Sequence, residues 1–312
     1  MESNIKTNNN ITERRLKEVD EPFKEYGSGL LSILQNNTKP TGLVPVILRD
    51  CDSPIFNLIL KSNIFQPFAR GYKSELVNFK ERFIEKINKN KYYVYVDYIG
   101  YNFNLSQDLP LYCGIINLLQ SSKENRVEIS ENDFLKKLGL KSKDLNIKRK
   151  SFYRERIKKM SESQLIINIP DFLGEDLYLE FPLINTKFLF ENKKYYFIKS
   201  NDLIKAYNIF SWRAFDMNIL NSINKESAKK MYCFYETKMN SKIKNNNFNI
   251  KKDKVSKALS IENKENKEIN RVIKESHNIL LKNNVISSYN IGKDKINVSI
   301  LGKSYRKDKI TK

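Results

Sequence analysis

One order of elements occurs twice in this chain, and it limits the folds available more than any single motif does. Each pass runs helix, short strand, short helix, turn, long basic helix and hairpin. In the first pass, "SQDLPLYCGIINLLQ" sets Leu109, Tyr112, Ile115, Ile116 and Leu119 on one helical face, with Ser106 or Asp108 as the N-cap. "VEI" is a short strand. "SENDFLKKLGL" is a short helix that Ser130 caps, with Phe134, Leu135 and Leu138 apolar and Gly139 at its close. A basic helix starts near Asp144. The runs "QLIINI" (164–169) and "DLYLEF" (176–181), joined by "PDFLGE", read as a hairpin.

The second pass begins at "KESAKKMYCFYETKM" (225–239), with Ala228, Met231, Tyr232 and Tyr235 on one side. "FNI" is a strand, and "KKDKVSKALS" is a short helix with Val255 and Leu259 apolar. "KENKEINRVIKESHNILLKNN" (264–284) is a long helix with Ile269, Val272, Ile273, Ile279 and Leu280 facing in. "VISSYNIGKDKINVSI" is a hairpin turning at Gly292–Asp294. The two passes share order and no obvious identity. This layout is that of a winged helix, a helix-turn-helix followed by a β-hairpin wing.

Charge decides what such helices are for. The chain has 312 residues, with Lys and Arg numbering 56 against 36 Asp and Glu, a net charge of +20. An excess of this size favours polyanions, nucleic acid first and acidic membrane surfaces second. The chain is also rich in Lys, Asn and Ile, as A+T-rich codons would make it, so position counts for more than the total. Between Lys141 and Met160 stand Lys141, Lys143, Lys148, Arg149, Lys150, Arg154, Arg156, Lys158 and Lys159, opposed only by Asp144 and Glu155. Leu145, Phe152, Tyr153, Ile157 and Met160 recur at helical spacing and are expected to pack inward. That turns Lys148, Ser151, Arg154 and Lys158 outward as one stripe, with Arg149 and Lys150 beside it, sized for a major groove. A solvated helix would interleave Glu four residues from Lys.

In the second long helix Lys264, Lys267, Asn270, Arg271 and Lys274 face outward among Glu262, Glu265, Glu268 and Glu275, a more mixed face. Lys293 and Lys295 at the hairpin tip, and Lys303 and Arg306 in the tail, are expected phosphate contacts. Phosphate contacts give affinity and salt dependence without sequence choice.

The rest of the chain reads as follows. Residues 1–40 are polar and Asn-rich, expected to be a flexible tail with one short helix near "ITERRLKEV". Residues 41–103 form a helix and strand extension: 54–88 carry helical spacing at Ile55, Leu58, Ile59, Phe79, Phe83 and Ile87, and "YYVYVDYIGYNF" (92–103) reads as a strand pair. The first winged helix spans 104–205, the second 206–302, and 303–312 is a basic tail. Trp212 is expected to pack between the two units. The fold class is α+β: tandem winged-helix domains with a short N-terminal extension.

Several chemistries find no support. Cys51, Cys113 and Cys233 form no CxxC and His277 is the single histidine, so a zinc site or a metal-dependent His pair is not expected. "GKS" at 302–304 lacks the earlier glycine of a phosphate-binding loop, because position 297 is Asn297. Asp171 with Glu191 and Lys193 is spaced like a nuclease PD…ExK set. Asp171 falls in a hairpin turn that favours Asp for local hydrogen bonding, and the other two fall in a polar loop. No cofactor, no metal and no enzymatic activity are expected. "MESNIKTNNN" has no apolar core, so it is not a signal peptide, and no run is long enough to span a bilayer. The expected location is the cytoplasm.

The ordered series of motifs resembles the TrfA-type plasmid replication initiators from about Val44 to Val298. It runs through "VPVILRDCDSPIFNLILKSNIF", "VDYIGYNFNLSQDLPLYCGIINLLQ", "ENDFLKKLGL", "KRKSFYRERIKKMSESQLII", "YLEFPLINTKFLFENKKYYFIKSNDLIKAY", "INKESAKKMYCFYETKM" and "FNIKKDKVSKALSIENKENKEINRVIKESHNILLKNNVI". The resemblance implies a non-enzymatic initiator with two winged helices. It implies binding to directly repeated origin sites (iterons) on double-stranded DNA, opening of an adjacent A+T-rich stretch and recruitment of host helicase machinery. Monomers would bind the origin, and self-dimers would be inactive or inhibitory. Two reading heads would lie about one helical turn, ~34 Å, apart on one repeat. Some members carry a Gln-headed, aromatic-ended peptide for a sliding clamp. Here "LLSIL" (Leu30–Leu34) stands in a similar place without the Gln or the aromatic.

The alternative is a winged-helix transcriptional repressor or autoregulator with no part in initiation, which would face a two-fold symmetric operator rather than direct repeats. An RNA or membrane binder fits less well, since aromatic RNA-binding motifs are missing and the aromatics read as core.

Overall fold

The computed structural model describes residues 52–68, 74–210, 212–239, 243–303 and 306. Cys51, the 1–40 tail and Leu30–Leu34 lie outside them. The chain enters by β1 (Asp52–Phe56), α1 (Asn57–Lys61) and β2 (Phe65–Gln66). It continues into two twelve-residue strands, β3 (Leu76–Ile87) and β4 (Asn90–Tyr101), then β5 (Phe103–Asn104). Helical spacing was the expectation for much of 54–88. Among the described residues of that range only α1 is helical, and β3 alternates exposed and covered residues along its length. Phe79, Phe83 and Ile87 recur every fourth residue, a spacing that one face of a helix and one face of a strand both satisfy. The β3–β4 turn settles the matter, because Asn88 and Lys89 both take positive φ (49° and 72°), the geometry of a tight two-residue hairpin.

The first lobe follows the expected order: α2 (Asp108–Ser121), β6 (Arg126–Ser130), α3 (Glu131–Lys137) and α4 (Ile147–Glu162). A hairpin, β7 (Gln164–Phe172) and β8 (Glu175–Pro182), comes next, then a second hairpin, β9 (Asn185–Leu189) and β10 (Lys194–Ile198). The first hairpin, read from sequence as the wing, instead joins the extension in an antiparallel sheet of order β3-β4-β7-β8. The hairpin that pairs with β6 is β9–β10, in the order β6-β10-β9.

After α5 (Asn201–Ile209), β11 (Trp212–Asp216) and α6 (Met217–Ser222), the second lobe is α7 (Glu226–Glu236), β12 (Asn245–Lys251), α8 (Lys252–Ala258), α9 (Asn266–Lys282), β13 (Ile286–Ile291) and β14 (Lys295–Leu301). Its sheet has the order β12-β14-β13. Each three-stranded sheet therefore places the last strand between the first and the middle one. The short helices also end alike. Gly139 after α3 (φ 86°) and Ser260 after α8 (φ 55°) are left-handed. In both, the next amide reaches back to close the helix: Leu140 N donates to Leu135 O, and Ile261 N to Ser256 O. Ser130 caps α3 by accepting from Asp133 N at 3.1 Å. The start of α2 is held differently from either expected cap: Asn104 Oδ1 accepts from the amides of Ser106 and Gln107.

Apolar residues of both passes are buried. Leu109, Tyr112, Ile115, Ile116 and Leu119 are buried, as are Phe134 and Leu135, and Phe134 packs against Tyr195 and Phe197. In the second lobe Ala228, Met231, Tyr232, Tyr235, Val255, Ile269, Val272, Ile273 and Leu280 are buried. Cys113 and Cys233 are buried free thiols whose pKa values burial pushes up, so both act as small apolar residues.

The segments leading into the lobes are stitched together. Antiparallel β1 and β11 set Phe56 opposite Trp212. The ammonium of buried Lys230 on α7 donates to Ser62 O at 2.9 Å and Phe65 O at 2.8 Å. Ser106 bonds Glu226, and Ser260 Oγ donates to Gln66 Oε1 at 2.8 Å.

Candidate nucleic-acid interface

Helix α4 is fixed at three places along its length, and each uses a basic residue. Arg154 Nε and Nη2 donate to the two carboxylate oxygens of Glu131, both at 2.6 Å, in a bidentate fork. Its guanidinium lies 4.8 Å from the Phe188 ring centroid. Glu131 is buried at the start of α3, so this pair locks α4 to α3 and to the β9–β10 hairpin. Arg156 donates to Asp108 at 2.8 Å, tying α4 to the start of α2. Burial raises the Asp108 pKa to about 6, against the lowering effect of Arg156. Lys159 pairs with Glu155 at 2.8 Å and lies over the Tyr101 ring. At the far end Ser163 Oγ accepts from Tyr101 N and donates to Lys159 O. A side chain at Gly100 would put its Cβ 2.3 Å from that Oγ, so only glycine allows β4 this close.

What remains is the front of the helix. Among the described residues Lys141, Lys143, Lys148, Arg149 and Lys150 have no acidic partner, and all but the half-buried Lys150 are exposed. Ser151 is exposed. Lys158 is exposed and only 3.7 Å from Glu162. Asn146 caps the helix by accepting from Arg149 N at 2.9 Å, and no acidic residue stands in the first turn. Cations there oppose the positive end of the helix dipole, at a cost of ~0.3–1 kcal/mol each at an exposed site. An anion bound in front of them reverses that cost.

The inward set is only partly as expected. Ile157 and Met160 are buried and Tyr153 and Leu145 are half-buried, while Phe152 stays on the surface with Arg156 over its ring at 5.0 Å.

On α9, Arg271 is bridged between Glu268 (2.7 and 2.8 Å) and Glu275 (2.8 Å). Those bonds lower the Glu268 pKa, while the bond from Lys225 does most to lower that of Glu275. Lys264 is 3.8 Å from Glu268. Lys267 and Lys274 are exposed with no acidic partner among the described residues, and Asn270 is half-buried between them. Lys293 and Lys295 are exposed at the β13–β14 turn, where Gly292 N donates to Lys295 O at 2.9 Å.

Arg306, read from sequence as a phosphate contact, is buried instead. It pairs with Glu236 at 2.6 Å and donates through Nε to Leu301 O, which clips the end of β14 to α7. Sequence reasoning also missed exposed Lys187 and Lys193 on the β9–β10 hairpin, because it placed the hairpin earlier in the chain.

Asp171 lies near the end of β7 at positive φ (52°), and Glu191 and Lys193 in the β9–β10 turn, so the three belong to hairpins of different sheets. His277 is buried on α9. Its Nδ1–H donates to Ile273 O, which leaves Nε2 to accept from the Tyr235 hydroxyl at 2.7 Å. Burial lowers its pKa to about 4, so the ring is neutral and acts as a packing residue. Among the described residues no three His, Cys, Asp or Glu side chains cluster to hold a metal ion, and no helix is long and apolar enough to cross a membrane.

No family model matches the chain, and no curated protein sequence matches it. Several solved structures are similar to it in outline, among them the following. A selenomethionine crystal structure of domains 2 and 3 of RctB aligns at TM-score 0.47 and 12% identity, over 82% of this chain and 99% of that one. A second crystal structure of RctB domains 2–3 gives 0.46 and 10%, over 80% and 100%. The Pi initiator protein in complex with iteron DNA gives 0.43 and 11%, over 63% and 92%.

Proposed function

We propose that this chain is a replication initiator that binds directly repeated sites on double-stranded DNA through two winged-helix lobes, residues 104–205 and 206–302. One observation carries the reading: two lobes of the same strand order each present a long helix bearing cations without acidic partners among the described residues. In each lobe the long helix enters a major groove. The hairpin paired with each lobe's first strand lies along the flanking phosphates, through Lys187 and Lys193 in the first lobe and Lys293 and Lys295 in the second. The stitched segments β1, β11 and Lys230 hold the lobes as one reader, so binding a repeat fixes both helices at once. The reading gives the chain no catalytic step. Bound copies strain the adjacent A+T-rich duplex and recruit host helicase machinery.

The test is autonomous replication. A circle carrying this gene with its flanking DNA, and no other origin, is expected to be maintained in a permissive host and to be lost when the gene is interrupted. A circle that is never maintained, while the protein still silences a promoter on the same fragment, contradicts initiation and identifies a repressor.

A further inference from the structure

The most exposed large apolar side chain among the described residues is Ile147, with 86% of its surface in solvent. It is the first residue of α4, directly after the Asn146 cap. An exposed aliphatic residue alone is ordinary, but the surroundings of this one are not. Lys148, Arg149 and Lys150 follow it without acidic partners among the described residues, and Ser151, one turn on, continues its stripe toward Lys158. The result is an apolar point inside a cationic and hydroxyl-bearing rim. A β-branched residue is also a modest helix former, so local propensity gives it no reason to be there. The matching position of the second lobe, the first residue of α9, is the polar Asn266.

A duplex major groove has the complementary pattern. Phosphates line its edges, its floor carries polar base edges, and the single apolar group displayed on that floor is the thymine C5-methyl. We propose that Ile147 reads the methyl group of one thymine in the part of the site bound by the first lobe, and that the second lobe has no equivalent contact. This rests on the proposed duplex binding by α4.

The experiment uses the full chain and duplexes selected from a random-sequence pool. In the best-bound duplex each thymine is replaced in turn by deoxyuridine, which removes only the methyl. One replacement is expected to weaken binding by the full chain about fourfold, the worth of one buried methyl group. The Ile147→Ala variant, whose change is confined to an exposed side chain, is expected to bind that duplex and its deoxyuridine form equally. If the full chain selects a sequence but no thymine replacement is neutralised by Ile147→Ala, this inference is wrong and duplex binding stands. If the full chain selects no sequence at all, both fall.

Discussion

Replacing Lys148, Arg149 and Lys150 together with alanine is expected to lower duplex affinity on the order of a hundredfold, from three lost charge-assisted contacts. The same variant is expected to melt at the same temperature as the parent or above it. The two effects have one origin. These cations stand at the positive end of a helix dipole with no acidic residue in the first turn, a placement that opposes folding and favours an anionic ligand. Titrations at several salt concentrations add a second readout. If each cation neutralises one phosphate, the slope of log affinity against log salt is expected to shrink by about three. Unchanged affinity and slope would show that this end of α4 faces only solvent.

Arg154→Ala is expected to behave in the opposite way, with a large loss of stability. It leaves Glu131 buried without its fork, at a cost of about 2–3 kcal/mol, below the ~3–5 kcal/mol of a fully buried pair because Arg154 keeps a third of its side chain in solvent. Glu131→Ala is expected to cost a similar amount, and the double variant little more than either single one, since both remove one interaction. Denaturant unfolding of the four proteins gives the coupling directly. Two near-neutral single variants, with a loss of salt-dependent duplex binding in Arg154→Ala, would show that Arg154 faces the ligand.

The contrast between these two variants marks what could be read from the chain. Helical spacing placed Lys148, Ser151, Arg154 and Lys158 on one stripe, and the helix exists with its cap at Asn146. Spacing could not show that Arg154 meets Glu131, 23 residues earlier, or that Arg156 meets Asp108, 48 residues earlier. Those pairs depend on how three helices cross. They engage Arg154 of that stripe, together with Arg156, and leave the helix front. In α9 the competing acids lie three and four residues from Arg271, and there the mixed face was visible in advance.

The strands show the same division. The Ser130 cap and the Gly139 turn are local, and both were legible. The β3 strand was not, because every-fourth-residue apolar spacing serves helix and strand alike. Nor was the pairing of the two hairpins, since β6 selects β10, some seventy residues on, over the nearer β7. Tyr93, Tyr95 and Tyr178, which read as core, are exposed residues of the β3-β4-β7-β8 sheet.

The most direct measurement of the central claim is nuclease footprinting of the full chain across the DNA flanking its own gene, at low and high salt. The account predicts protection of evenly phased direct repeats, with two protected patches per repeat about one helical turn apart, all weakening at high salt. Protection of a single inverted repeat over the promoter, or none anywhere, would contradict it.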